Sequence, residues 1–354
     1  MILFFCILLS CTDGKTAAGT ADTSWDAIKA NTSLSFNTAE YQTPFRQNIS
    51  NAGWEDGIYI SRDGLHLYCT YVPGDLLSWT LDSSDPSAFS PYLRGPDFGM
   101  DMITNPAGKT SWAQADILHA QRSSIVETFG SWSLSAMARA VFSEGAVVTA
   151  EVSGGTAEFF LFTSNDKSPT YDTDIWAYTG STMQPSGTGS PLAGFPHTTY
   201  TEDNPHIERI STGTLVLFFD SNNYPGGNGS HDIWYSLSTD NAASWSTPLN
   251  LSSVNTVAQE HQPHLFNDGS TWWLYFSAMH TDGKLGIFRA RQQSADNWND
   301  WSVRELVIGA GNSGGVGEPT LTSNGDISFV VVYEKPDGAP YNRFDADPWF
   351  MKRK

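Results

Sequence analysis

The sequence predicts an all-β fold: a five-bladed β-propeller of four-stranded antiparallel blades, with an N-terminal strand closing the last blade. Three observations predict it. The first is a tripeptide that returns along the chain as Asp116-Ile117-Leu118, Asp174-Ile175-Trp176 and Asp232-Ile233-Trp234, then more loosely as Gly286-Ile287-Phe288 and Asp347-Pro348-Trp349, at intervals of 58, 58, 54 and 61 residues. The second is an independent anchor, Pro205, Pro263 and Pro319, spaced 58 and 56 apart. The third is that Tyr41-Gln42-Thr43-Pro44-Phe45 matches Trp245-Ser246-Thr247-Pro248-Leu249, the fourth strand of an internal unit, while the C-terminal unit has no fourth strand of its own. Pairing both chain ends in one blade closes the ring and leaves no edge between first and last blades.

The units follow in order. Unit one opens at Asp56-Gly57-Ile58-Tyr59, continues through 65–71, and reaches Asp116 only after an insertion at about 75–113; Trp132-Ser133-Leu134 marks its last strand. Unit two takes its first strand from 146–150 and its second from 159–162. Unit three runs Asn204-Pro205-His206-Ile207, 215–219 and 232–237. Unit four repeats this order as Gln262-Pro263-His264-Leu265, 272–276 and 285–289, with Trp301-Ser302-Val303 as its fourth strand. Unit five gives Glu318-Pro319-Thr320-Leu321, 327–332 and 348–352. Short apolar runs bounded by turn residues are strands rather than helices at this spacing. Residues 38–354 thus form a single propeller.

Composition bounds the function. With 354 residues, 40% of them hydrophobic, the chain can bury a large core, and 38 acidic against 19 basic residues give a net charge of −19. Such a surface repels phosphate backbones, which excludes nucleic acid as a partner. Residues 1–10, MILFFCILLS, form an apolar run too short to span a membrane, and they are expected to be a leader. Leu8-Leu9-Ser10-Cys11 resembles the lipobox of bacterial lipoproteins, which implies lipidation at Cys11, a flexible tether over 11–37, and an exported protein at the periplasm, outer membrane or cell surface, held to the membrane by that lipid alone. Loss of Cys6 and lipidation of Cys11 would leave Cys69 as the one thiol of the mature chain, placed in a strand and expected to be buried and inert.

Two motifs carry family resemblances. Unit four, from His261-Gln262-Pro263-His264-Leu265 through Asn267-Asp268-Gly269 and Trp273-Leu274-Tyr275-Phe276-Ser277, resembles the repeat of TolB-type and related WD-like propellers, a likeness that implies fold rather than activity. Ser238-Thr239-Asp240-Asn241-Ala242-Ala243-Ser244-Trp245 resembles the Asp box of sialidases; Ser294-Ala295-Asp296-Asn297-Trp298-Asn299-Asp300-Trp301 is a second, looser copy. In that motif the Asp accepts turn amides and the Trp packs between sheets, so it shapes a peripheral hairpin. A sialidase would also need an arginine triad, whereas Arg62 and Arg209 stand alone here.

The candidate chemistry lies where the units converge. Aligning them places Asp56, Glu144, Asn204, Gln262 and Glu318 at one position of the innermost strands, flanked by Glu55, Asp203, Glu260 and His261, so that polar groups line the mouth of the axial channel. The architecture resembles five-bladed glycosidases such as glycoside hydrolase family 43, which implies Asp56 activating water, Glu318 protonating the leaving oxygen and Asp203 orienting Asp56. Glu55, Glu144, Asn204, His206, His261, Gln262, His264 and Trp54 are the expected ligand-binding residues, with Trp112 and Tyr200 as further aromatic candidates outside the repeat register. Repeat equivalence accounts for His206 and His264, so no metal site is assigned and no cofactor is called for, although the acidic loops 165–174 and 220–232 could hold calcium. Three functions stay open: a monomeric envelope module binding a glycan or peptide at its axial mouth, a glycoside hydrolase, and a TolB-like scaffold for protein contacts.

Overall fold

The computed structural model describes residues 24–81, 95–100, 114–137, 142–153, 156–166, 172–295, 297–336 and 342–354. Cys11, Trp112, the leader and most of the insertion lie outside these residues. After a short helix, α1 (Trp25–Ala30), come two short strands, β1 (Ser35–Phe36) and β2 (Phe45–Arg46). Blade one consists of β3 (Trp54–Ile60), β4 (His66–Val72), β5 (Asp116–Gln121) and β6 (Ser133–Leu134), with the helix α2 (Leu76–Leu81) after β4. Blade two is β7 (Glu144–Ser153), β8 (Thr156–Ser164), β9 (Asp174–Thr182) and β10 (Ser190–Pro191). Blade three is β11 (Asp203–Ser211), β12 (Thr214–Asn222), β13 (His231–Ser238) and β14 (Leu249–Asn250). Blade four is β15 (Glu260–Asn267), β16 (Trp272–Met279), β17 (Leu285–Arg291) and β18 (Glu305–Gly309), with β1 added at its outer edge. Blade five is β19 (Gly315–Leu321), β20 (Ile327–Glu334) and β21 (Phe344–Met351).

Closure occurs as the sequence predicts. Strand β2 pairs antiparallel with β21, Phe45 opposite Phe350 and Arg46 opposite Trp349, and Tyr41 bridges to Arg353 beyond it. The first and last blades also meet directly through a parallel bridge between Trp54 and Ala346. Within the stretch expected to be a tether, residues 24–36 form α1 and β1. Ser24 caps α1, its Oγ accepting from the Ala27 amide. Lys29 then buries its ammonium against blade five, 2.7 Å from Asp345 and 2.9 Å from Asp347.

The core lies between blades rather than in one centre. One cluster joins Ile58, Leu67 and Cys69 of blade one to Val330, Val332 and Phe350 of blade five, and others fill the remaining junctions. Middle strands therefore bury both faces, which is why 215–219 reads as an unbroken apolar run. Trp176, Trp234 and Trp349 are buried in these junctions, so the repeat tryptophans are packing residues. Cys69 is buried, and burial pushes its thiol pKa well up, leaving it without thiolate character.

Candidate functional site

Every innermost strand carries one β-bulge at the same place, between Asp56 and Tyr59, Gly145 and Val148, Asp203 and His206, His261 and His264, and Gly317 and Thr320. At each bulge one residue is left-handed: Gly57 (φ 55°), Ala146 (47°), Asn204 (47°), Gln262 (54°) and Glu318 (60°). This sets the true equivalence of the five units. Asn204, Gln262 and Glu318 share a position as the sequence alignment placed them. Asp56 precedes it by one residue and Glu144 by two, because Gly57 and Ala146 occupy it in blades one and two. In three blades the amide of the left-handed residue turns away from its own ladder and the preceding blade accepts it. Ala146 N donates to Thr70 Oγ1 at 3.0 Å, Gln262 N to Asp220 Oδ2 at 2.8 Å and Glu318 N to Ser277 Oγ at 2.9 Å.

The junction from blade five to blade one breaks the pattern. The residue matching Thr70, Asp220 and Ser277 is Val330, which offers no side-chain acceptor. The Glu318 carboxylate fills in: Oε2 accepts from Ile58 N at 3.0 Å, and Oε1 accepts from Gln262 Nε2 at 2.9 Å. Glu318 thus closes the hub ring, with both oxygens occupied.

Two residues before the bulge, four blades carry a buried glutamate: Glu55, Glu144, Glu202 and Glu260. Three reach back four residues to fix the incoming connection. Glu55 accepts from Asn51 N at 2.8 Å, Glu260 from Thr256 N at 2.7 Å, and Glu202 from the Thr198 hydroxyl. Glu55 also takes the Trp132 indole at 3.0 Å, and Glu144 takes Ser164 Oγ at 3.2 Å. Glu55, Glu144 and Glu260 are among the residues expected at the mouth; Glu202, 58 residues from both Glu144 and Glu260, joins them here. The hydrogen bonds of Glu55, Glu202 and Glu260 tie connections to strands.

Directly before the bulge stand Asp56 and Asp203. Together with Glu318 and Asp220 they form a buried acidic cluster drawn from three blades. Burial raises the pKa of all four, and their mutual repulsion adds to it: Asp203 acts on Asp56, Asp220 and Glu318, and Asp56 on Glu318. Asp56 titrates at about 7 and Asp203 at about 6, while Asp220 and Glu318 are pushed well above the carboxylate range. Trp54 is not a ligand platform; it is 1% exposed and donates Nε1 to Asp56 Oδ2 at 2.5 Å. Asp56 Oδ1 is buried with no hydrogen-bond partner. Asp203 Oδ1 accepts from Asn204 N at 2.8 Å. Asp220, expected at the head of the acidic loop 220–232, lies instead inside strand β12; a lone acid in an apolar run is the signal that could have placed it at the hub.

Below the ring the axis narrows. Between the bulges lies a cavity of about 40 Å³, bordered by Pro205, Pro263 and Pro319 together with Ile58 and Val147. It holds a few waters at most, far short of the roughly 300 Å³ of a small-molecule pocket. Deeper still the axis is plugged. Arg62 reaches across from blade one, 2.5 Å from Glu208 and 2.8 Å from the Leu265 carbonyl. The His206 and His264 rings meet tilted, with centres 4.2 Å apart, and His264 Nε2 accepts from Leu321 N at 3.1 Å. Burial lowers both histidine pKa values, so the pair is neutral and belongs to the plug. His261 packs instead against His231, with ring centres 4.6 Å apart.

The Asp-box hairpin lies at the periphery, between β13 and β14. Asp240 Oδ1 accepts from Ser238 Oγ and Ser244 N, both at 2.9 Å, and Trp245 is buried. Arg209 pairs with Glu158, so the two arginines remain separate and engaged.

No family model and no curated protein matches the chain. Solved structures do. A family-62 α-L-arabinofuranosidase catalytic domain from Coprinopsis cinerea aligns over 89% of this chain and 96% of its own, with a TM-score of 0.53 at 9% identity. A family-43 β-xylosidase/α-arabinofuranosidase from a compost metagenome, solved in complex with xylotriose, covers 88% and 95% with a TM-score of 0.51 at 10% identity. A thermostable family-43 glycoside hydrolase covers 88% and 96% with a TM-score of 0.50 at 10% identity. These neighbours lend nothing to the TolB-type resemblance. At such identities they establish the architecture, and the chain is a five-bladed β-propeller of the kind that glycoside hydrolase families 43 and 62 share.

Proposed function

We propose that the protein is a glycoside hydrolase acting at the end of the axis where the innermost strands begin, with Asp56 and Asp203 as its working carboxyls. The observation that carries this reading is their convergence: two acids from different blades within electrostatic reach, titrating at about 7 and about 6, one of them with an unpartnered buried oxygen. Near neutrality the dominant form of such a pair has one proton. Asp203, whose ionised form is favoured by the Asn204 amide donating to it at 2.8 Å, takes a proton from the attacking water as the water oxygen bonds to the anomeric carbon. Asp56, kept protonated by burial and by the Asp203 charge, delivers its proton to the glycosidic oxygen as that bond breaks. The pair returns to its starting state by exchanging protons with solvent. Glu318 is assigned to the hub ring rather than to proton transfer, since both of its oxygens already accept hydrogen bonds.

The printed activities of the fold neighbours set the first substrates to try, arabinofuranosides and xylosides. Release of 4-nitrophenol from the aryl glycosides and of reducing ends from arabinoxylan should fall at least about 100-fold in Asp56→Asn and in Asp203→Asn, the usual scale for a general acid or base. It should be unchanged in Asp240→Ala. Wild-type protein that turns over none of these substrates would overturn the reading. A second reading, a module that binds a glycan or peptide without cleaving it, draws on the deep burial of the pair, 1% and 4% exposed. It expects xylo-oligosaccharide binding without products, surviving both substitutions.

A further inference from the structure

A second cluster lies where blade two hands the chain to blade three. Asp174 begins β9, and the connection from β10 to β11 brings His197 and Glu202 to it. Their nearest ligand atoms all fall within 4.8 Å of one another. His197 Nδ1 stands 3.6 Å from Asp174 Oδ1 and 3.7 Å from Glu202 Oε2. These separations are long for hydrogen bonds. They suit three donors around one ion: ligands about 2.1 Å from a tetrahedral centre are about 3.4 Å apart.

Two further observations point to an occupant. Glu202 is fully buried, yet its Oε2 has no hydrogen-bond partner, and neither has His197 Nδ1. The other nitrogen of the ring, Nε2, lies 3.2 Å from the Leu192 carbonyl oxygen, so it carries the proton and leaves the Nδ1 lone pair facing the carboxylates. A ligating histidine is ordinarily held by such a second bond, and here the remaining Glu202 oxygen is likewise fixed by the Thr198 hydroxyl. The connection is braced from both sides, Glu202 N to the Thr173 carbonyl at 2.9 Å and the Phe195 ring against His197 at 5.2 Å.

We propose that Asp174, His197 and Glu202 form a binding site for a divalent transition ion of the zinc class, which clips blade two to blade three. One imidazole nitrogen with two carboxylate oxygens is a donor set that zinc accepts, whereas calcium and magnesium favour all-oxygen shells. The side chains of Asp174 and His197 are 17% and 24% exposed, so water or a ligand reaches the fourth position. This site is independent of the hub reading, though Glu202 adjoins Asp203 in the chain. From sequence alone only Asp174 stands out, in the acidic loop 165–174, because the three residues are unevenly spaced and meet only where two blades pack.

The test uses untagged full-length protein, stripped with chelator and dialysed against Zn²⁺, with bound metal measured by mass spectrometry. One zinc per chain is expected, with affinity at least tenfold weaker in His197→Gln and Asp174→Asn. Co²⁺ substitution of the wild-type protein, which needs no variant to fold, should give the visible absorption of a low-coordinate N/O site and lose it on zinc addition. Less than stoichiometric zinc, equal binding by folded variants, or a cobalt spectrum indistinguishable from the aqua ion would overturn the proposal and leave an Asp–His–Glu ion cluster.

Discussion

Replacing Asp56 with Asn separates the electrostatic burden of the hub from its shape. Asn is nearly isosteric, and its amide oxygen can keep the Trp54 indole bond now made at 2.5 Å. An acid whose folded pKa is raised holds its proton longer in the fold than in the unfolded chain. Stability is then greatest below the unfolded value, falls as pH rises, and is fully lost above the folded value. For Asp56 the window runs from about 4, the ordinary carboxylate value, to about 7. About three pH units at about 1.4 kcal/mol each come to about 4 kcal/mol. The group is 1% exposed, so solvent screening takes little from this. Urea unfolding of both proteins at pH 4, 6 and 8 reads the difference directly. The stability of Asp56→Asn relative to wild type should rise with pH by up to about 4 kcal/mol across that range, in the same direction as the relief it gives to Glu318. Parallel curves for the two proteins would show Asp56 ionising at an ordinary pKa, and would refute the coupling inferred at the hub.

Two further predictions concern the frame. Gly57→Ala places a Cβ 2.0 Å from Thr70 Oγ1 at φ 55°, so Thr70 must move and release the Ala146 amide; backbone strain and the broken bond together should cost about 3 kcal/mol in a denaturation midpoint. Lys29→Ala strips Asp345 and Asp347 of a buried partner and should cost about 3 kcal/mol in the same assay, whereas loss of a solvent-exposed pair would cost well under 1 kcal/mol.

The architecture was legible because blade packing repeats. An apolar strand buried on both faces, a proline after each bulge in three units and a tryptophan between sheets recur at fixed spacing, and each has a physical reason to do so. The bulge register was less legible. A left-handed residue is most easily Gly or Asn, yet here Ala146, Gln262 and Glu318 also adopt it, held by the amide exchange between blades. Aligning on the residue before each Pro or Gly therefore places Asp56 one residue off and Glu144 two. Glu318 looked like an acid for catalysis, but the absence of an acceptor at Val330 gives it a bond to hold instead. Asp220 and the Asp174, His197 and Glu202 group depend on which blades become neighbours, which no single strand reports. His206 and His264 share a repeat position as the sequence indicated, but only packing reveals that they plug the axis with Arg62 rather than face the mouth.

The central claim is that Asp56 and Asp203 share the work of proton transfer, and the dependence of kcat/KM on pH for an aryl arabinofuranoside or xyloside tests it most directly. Activity should follow a bell between pH 4 and 9, its two limbs near 6 and 7 set by the Asp56–Asp203 pair as a unit. A rate that stays level from pH 5 to 8, or a bell that persists unchanged in Asp56→Asn, would contradict it.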